Sequence, residues 1–252
     1  YAVVVLVVVA VGGLWAVLNT IQLPPAKPQD ETTFVCDIEV QAGQCGFDNA
    51  MARLSASEQR VVVTYNDLPP VLVQAVLSAE DRKFFDHNGV DPVGIARAFT
   101  KDVLGDSASQ QGGSTITQQY VKTVYLSSEK TLTRKVKEAV LAVKLEQTLD
   151  KREILTRYLN EIYFGRGAYG VEAASRAYFG VGARDLDLPQ AAYLAGLIRA
   201  PEHADATRDP KEATRRRRTV LNAMVEEGYI SESRARAAAE VPWNTEDKTS
   251  TG

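Results

Sequence analysis

Residues 80–91 read Glu-Asp-Arg-Lys-Phe-Phe-Asp-His-Asn-Gly-Val-Asp, and residues 112–122 read Gly-Gly-Ser-Thr-Ile-Thr-Gln-Gln-Tyr-Val-Lys. Each stretch crowds acids, bases, hydroxyls and amides beside aromatics, where a purely structural segment would show a simple apolar period. Ahead of the first, Val71, Val73, Ala75, Val76 and Leu77 make a helical apolar run after Pro69-Pro70, so Glu80 falls at a helix end. Asp91-Pro92 then restarts a helix, with proline in its first turn, that carries Ile95, Ala96, Ala98 and Phe99. Thr115 and Gln118 have the spacing of a capping box, so a further helix begins inside the second stretch. Gly112 and Gly113 let backbone approach a ligand closely. Ser114, Thr115, Thr117 and the free amides of that first turn suit a phosphate, with Gln118, Gln119 and Lys122 one and two turns on. The bland alternatives are a Glu80 paired with Arg82 or Lys83 and an ordinary capped helix after a loop.

Working outward, the chain reads as mostly helical. Lys101 to Gln111 is polar and glycine-bearing and reads as a mobile loop. Residues 131–149 read as a helix with Val136, Val140 and Val143 on one stripe. On it Arg134 and Glu138 stand at i and i+4, and Lys135 at i+3 from Glu138, a pattern that by itself is also a surface ion pair. Residues 151–163 continue helical after a break near Asp150, and 165–182 is rich in glycine and aromatics. Leu188 to Arg199 reads as an apolar helix ending before Pro201. Asp209-Pro210 opens another helix, and a last one runs from about Ser231 to Glu240. Short strands are expected only before residue 65, at Phe34-Val35, Ile38–Val40 and Arg60–Thr64. The run Arg215 to Arg218 reads as a solvated helix face, with lipid head groups as the alternative. Ser127-Ser128-Glu129-Lys130 matches Ser-x-x-Lys, but no Lys-Thr-Gly or Ser-Asp-Asn follows, and it is set aside.

Residues 1–18 carry no charged side chain and are dominated by valine and other apolar residues. As a helix they rise about 27 Å, close to the hydrocarbon thickness of a bilayer. No Ala-x-Ala-like cleavage site follows, so a transmembrane helix is expected there, with the remainder outside the cytoplasm. Residues 19–53 then form an extracytoplasmic linker, where Cys36 and Cys45 have spacing that permits a disulfide in an oxidising space. The main folded domain follows, and 241–252 is a polar tail or interdomain linker. The chain opens at Tyr1 and closes in that polar tail, as an excised segment of a longer protein would. The net charge of -3 and a pI near 5.6 argue against a nucleic-acid partner. Two histidines and two cysteines make a zinc site of those ligands improbable.

The run Glu80, Asp81, Phe84, His87, Gly89, Asp91 and the run Gly112 to Gln119 resemble the first two signature motifs of the peptidoglycan glycosyltransferases, glycosyltransferase family 51. Arg134-Lys135-x-x-Glu138 resembles the third, Gly167 to Gly180 the fourth, and Leu188 to Pro201 the last. The usual Lys-Asn after the second motif is here Lys122-Thr123. The resemblance spans about residues 54–240 and implies a mainly α, lysozyme-like fold with a head and a membrane-facing jaw, the jaw near 92–111. It implies a membrane-anchored bacterial enzyme, a target of moenomycin, that polymerises lipid II with inversion and release of undecaprenyl pyrophosphate.

In that reading Glu80 is the base and Glu138 the second carboxylate. Asp81, Arg82, Ser114, Thr115, Gln118, Gln119, Lys122, Arg134 and Lys135 would contact substrate or pyrophosphate. The fourth and fifth motifs, Arg199 included, read chiefly as scaffold, with Glu172 either a substrate contact or a buried structural glutamate. No cofactor is required, and Mg²⁺ or Mn²⁺ is an optional aid to the leaving group. Partners would be lipid II, the growing lipid-linked glycan, the membrane and other cell wall synthesis or division proteins. A lysozyme-like glycan-cleaving enzyme and a non-catalytic membrane-anchored scaffold are the competing readings.

Overall fold

Prolines and short polar caps punctuate the chain, and the helices begin where those caps stand. A computed structural model describes residues 33–35, 52–54, 61–96, 113–126 and 131–242. Its main helices are α1 (Pro70–Glu80), α2 (Ile116–Tyr125), α3 (Leu132–Thr148), α4 (Lys151–Glu161), α5 (Val171–Phe179), α6 (Leu188–Leu197), α7 (Pro210–Glu226) and α8 (Glu232–Glu240). Residues 92–96 form a further helical turn after Asp91, whose Oδ1 accepts from the Val93 amide at 3.1 Å. The fold is thus mainly helical. Its one described ribbon pairs β1 (Thr33–Val35) antiparallel with β2 (Ala52–Leu54), in the register Thr33 to Leu54. The expected membrane helix at 1–18, the Cys36–Cys45 pair, Ile38–Val40, the loop 101–111 and the tail beyond 242 lie outside the described residues. Among those described, no helix is long and apolar enough to cross a membrane.

The caps follow the short-range logic of the sequence. Thr115 Oγ1 accepts from the Gln118 amide at 3.1 Å while Gln118 Oε1 accepts from the Thr115 amide at 3.0 Å, a reciprocal box. Asp187 and Gln190 repeat it at α6. Asp150 accepts from the Glu153 amide at α4, Asp209 from the Glu212 amide at α7, and Ser231 from the Arg234 amide at α8. Each such cap contributes about 1 kcal/mol by satisfying an orphan amide.

The chain divides into two units. The described part of the first is Lys83–Tyr158, and the second comprises Pro28–Arg82 and Leu159–Gly252. In the first, α2 packs on α3 over Ile116, Val121, Leu141, Leu145, Leu155 and Tyr158, all essentially inaccessible. The valine stripe expected on α3 is corrected here. Val140 is buried, but Val136 is 55% exposed and Val143 only half-buried. The buried face runs through Glu138, Leu141, Ala142 and Leu145, an i, i+3, i+4, i+7 row that includes a carboxylate and so escapes an apolar count. In the second unit, α1, α6, α7 and α8 pack together over Leu72, Val76, Leu194, Leu197, Leu221 and Met224. Burying each such side chain stabilises by about 1.5–3 kcal/mol.

A second correction concerns residues 60–64. The described part, 61–64, is not a strand. The Val63 amide donates to Asn160 Oδ1 at 3.0 Å, and Asn160 Nδ2 donates back to the Val63 carbonyl at 2.9 Å. One buried side-chain amide therefore satisfies the donor and acceptor that a neighbouring strand would otherwise take. The strand opposite β1 is instead 52–54, which has little strand character in sequence.

Candidate active site

The expected functional residues fall into a cluster in each unit. In the second unit, Glu80 is the last residue of α1, and its side chain is only 2% exposed. A carboxylate at a helix C-terminus faces the negative end of the helix dipole, and burial removes its water. Arg199, just past α6, answers both costs. Its Nε donates to the two carboxylate oxygens at 3.0 and 3.2 Å. Sequence reasoning assigned Arg199 to scaffold; its place in the last motif was the available signal. Asp81 is buried at the C-cap of α1, with its amide on the Leu77 carbonyl. Arg82 turns to the end of α7, 2.8 Å from Glu226 and 3.3 Å from Glu227.

In the first unit, Ser114, Arg134, Lys135 and Glu138 converge. Glu138 is 2% exposed, and its Oε2 accepts from Arg134 Nη1 at 3.1 Å. Its Oε1 takes a short hydrogen bond from Lys135 Nζ, which also donates to Ser114 Oγ at 2.9 Å. Two cations, a carboxylate and a hydroxyl thus meet where α2 begins. What reads as a surface ion pair in sequence is anchored on a buried carboxylate, with Arg134 mostly covered and Lys135 about half exposed. Thr115 and Gln118, both buried, serve the cap of α2, and Thr115 Oγ1 donates to the Gly89 carbonyl at 2.7 Å. Gln119 Oε1 accepts from Tyr158 at 2.9 Å. Lys122 is exposed in the last turn of α2 and is not one of the residues joined at Ser114. Among the described residues, no group of three or more His, Cys, Asp or Glu is arranged to hold a metal.

In the fourth motif Glu172 is tied into the protein itself. Glu172 accepts from the Ala183 amide at 2.7 Å through one oxygen and from Arg176 at 2.8 Å through the other. Arg166, with the positive φ of 53°, grips Asp205 through two bonds of 2.8 and 2.7 Å and lies 4.2 Å over the Tyr178 ring. Burial alone would raise the Asp205 pKa, but the bonds and charge of Arg166 and the bonds from Thr207 bring it down to about 2. Burial pushes the Tyr178 and Tyr193 hydroxyls upward, so both stay protonated donors. The arginine run splits. Arg215 and Arg216 both pair with Glu212, whose carboxyl the Arg215 bond leads in holding near 2, while Arg217 is 3% exposed and donates to the Ala239 and Val241 carbonyls. Only Arg215 and Arg218 fit a solvated face.

Each unit thus holds a buried carboxylate: Glu80 gripped by an arginine in the second, and Glu138 held by two cations near a helix start in the first. The family model described as Transglycosylase matches residues 48–225, and the chain belongs to that family. Among its relatives, penicillin-binding protein 1A of Haemophilus influenzae is 46% identical over 185 residues, which is 73% of this chain and 22% of that protein. Penicillin-binding protein 1A of Escherichia coli K12 is 38% identical over 226 residues, 90% of this chain and 26% of that one. The chain therefore spans about a quarter of the length of these relatives. The crystal structure of the Haemophilus influenzae protein superposes with a TM-score of 0.48 at 21% identity, over 88% of this chain and 22% of that one. Family membership rests on the sequence match, not on this superposition.

Proposed function

We propose that the chain is the glycosyltransferase part of a peptidoglycan-polymerising enzyme. Glu80 takes the proton from the 4-hydroxyl of the incoming lipid II sugar. The oxygen so freed attacks the anomeric carbon of the lipid-linked growing glycan from the face opposite the leaving group, the C–O bond to the diphosphate breaks, and undecaprenyl pyrophosphate departs. The configuration at that carbon inverts. Charge on the departing diphosphate is met by Lys135, Arg134, Lys122 and the Ser114/Thr115 helix start, with Glu138 orienting the two cations it binds. Gln118, Gln119, Asp81 and Arg82 complete the substrate contacts. No step needs a metal; Mg²⁺ or Mn²⁺ is an accessory to the leaving group. The lysozyme-like arrangement of head and jaw, the single membrane anchor at 1–18, the extracytoplasmic placement and association with other cell wall proteins belong to the same reading.

The observation that carries it is the joining of Ser114, Lys135, Arg134 and the buried Glu138 at the first turn of α2. Two cations held together beside that helix start match a diphosphate leaving group, which a glycan-cleaving hydrolase does not have. Incubation with labelled lipid II tests it. Polymer is expected from the native chain, and none from Glu80→Gln with an unchanged circular dichroism spectrum. Polymer from Glu80→Gln, or cleavage of preformed glycan in place of synthesis, overturns the proposal.

A further inference from the structure

The first unit holds a buried polar group that the proposed chemistry does not use. Glu146 on α3 has a side chain 5% exposed, and that of His87 is 6% exposed. Lys151, at the start of α4, lies between them. Its Nζ is 2.7 Å from Glu146 Oε2 and 3.3 Å from His87 Nδ1. It also sits 4.6 Å from the centroid of the Phe84 ring, a cation–π contact. An ammonium has only hydrogens to give, so in this contact His87 Nδ1 stands as the acceptor; the same nitrogen is 3.8 Å from Glu146 Oε1. The other Glu146 oxygen accepts from Thr117 Oγ1 at 2.5 Å, in the first turn of α2.

These hydrogen bonds, together with the Lys151–Glu146 ion pair, close a ring. Lys151 ties α4 to His87; two residues on, the Gly89 carbonyl accepts from Thr115 at the cap of α2. Thr117, within the same turn, returns through Glu146 to Lys151. The amides at the start of α2 are thus braced from both sides, by Thr115 on the first-motif turn and by Thr117 on α3. An exposed surface ion pair would do neither, whereas the Lys151 ammonium is largely covered and its carboxylate and imidazole partners are buried.

We infer that Lys151 is a positioning residue for the start of α2, and so for the diphosphate leaving group of the transfer reaction; this rests on the function proposed above. Lys151→Met keeps the aliphatic stem over Phe84 and removes the charge. In lipid II polymerisation it is expected to lower kcat about tenfold or more while KM changes less than about twofold, since a helix start moved by under 1 Å misplaces its amides. Lys151→Arg, which retains a cation, should recover most of the loss. Thr117→Val breaks the ring at its other side, and the double variant should be no slower than the slower single one, because both cut one connection.

Additive losses, or a Lys151→Met kcat within twofold of the native value, overturn the inference. Should Lys151→Met fail to fold, the same cycle is run on Thr117→Val with His87→Gln, with the same two readings. Glu80→Gln in the same assay separates the levels. An inactive Glu80→Gln beside a fully active Lys151→Met refutes the bracing role alone, whereas an active Glu80→Gln refutes the catalytic reading itself.

Discussion

Replacing Gly89 by alanine should be costly to the first unit. Gly89 has φ of +87°, a conformation that costs an L-residue about 1–2 kcal/mol. The added Cβ would stand 2.6 Å from the Ala142 carbonyl carbon and the Val143 nitrogen and 2.7 Å from the Ala142 oxygen. These are backbone atoms of α3, so no side chain can swing away. The turn must retreat toward ordinary contact, and overpacking of that kind costs about 1–3 kcal/mol more. The retreat also strains the 2.7 Å bond from Thr115 Oγ1 to the Gly89 carbonyl. A loss of about 2–5 kcal/mol follows, a large share of the roughly 5–15 kcal/mol that holds a domain folded. Gly228→Ala is the control: its φ is +74°, but nothing lies within 4 Å of the added Cβ, so only the conformational cost remains. Urea unfolding followed by far-ultraviolet circular dichroism measures both. If Gly89→Ala costs no more than Gly228→Ala, the close approach of this turn to α3 is refuted.

Other expectations follow from the same geometry. Asp205→Asn leaves the Arg166 guanidinium buried without its counter-charge and should cost about 3–5 kcal/mol by chemical unfolding; a loss under 1 kcal/mol would show the pair to be unimportant. The folded-state pKa of Asp205, about 2, lies below its ordinary value of 3.8. Its contribution, on the order of 2 kcal/mol, is therefore present above pH 3.8 and lost as pH falls toward 2, and the acid limb of a stability–pH curve should flatten in Asp205→Asn. Asn160→Ala orphans the amide and carbonyl of Val63 and should lower stability by about 2–4 kcal/mol, with faster amide exchange at Val63; native-like exchange there would contradict the amide clamp. Thr115→Val removes the cap of α2 and should cost about 1–2 kcal/mol in thermal unfolding, whereas an unchanged Tm would mean that the capping box contributes nothing.

Much of the local structure was legible because it is decided within a turn or two. The capping box at Thr115, the proline starts after Asp91 and Asp209, and the helix start at Ser231 each join residues three or fewer positions apart. Where the reading failed, a distant segment had supplied a partner. Residues 61–63 are valines that would suit a strand, but Asn160, 97 positions away, takes the Val63 backbone first. The α3 stripe was misjudged because the inward position 138 is a glutamate, which buries only with Arg134 and Lys135 at hand.

Sequence alone thus determined the helical class, the helix starts and the kinds of side chain available for chemistry, since periodicity, caps and motif spacing are short-range properties. Tertiary structure decided which charges are solvated and which are held. It chose Arg199 for Glu80 across 119 positions, Asp205 for Arg166, and Arg217 from four consecutive arginines for burial against α8. A long cationic side chain reaches partners in any direction, so its neighbour is settled only when the fold brings a carboxylate or carbonyl within about 3 Å and removes the competing water.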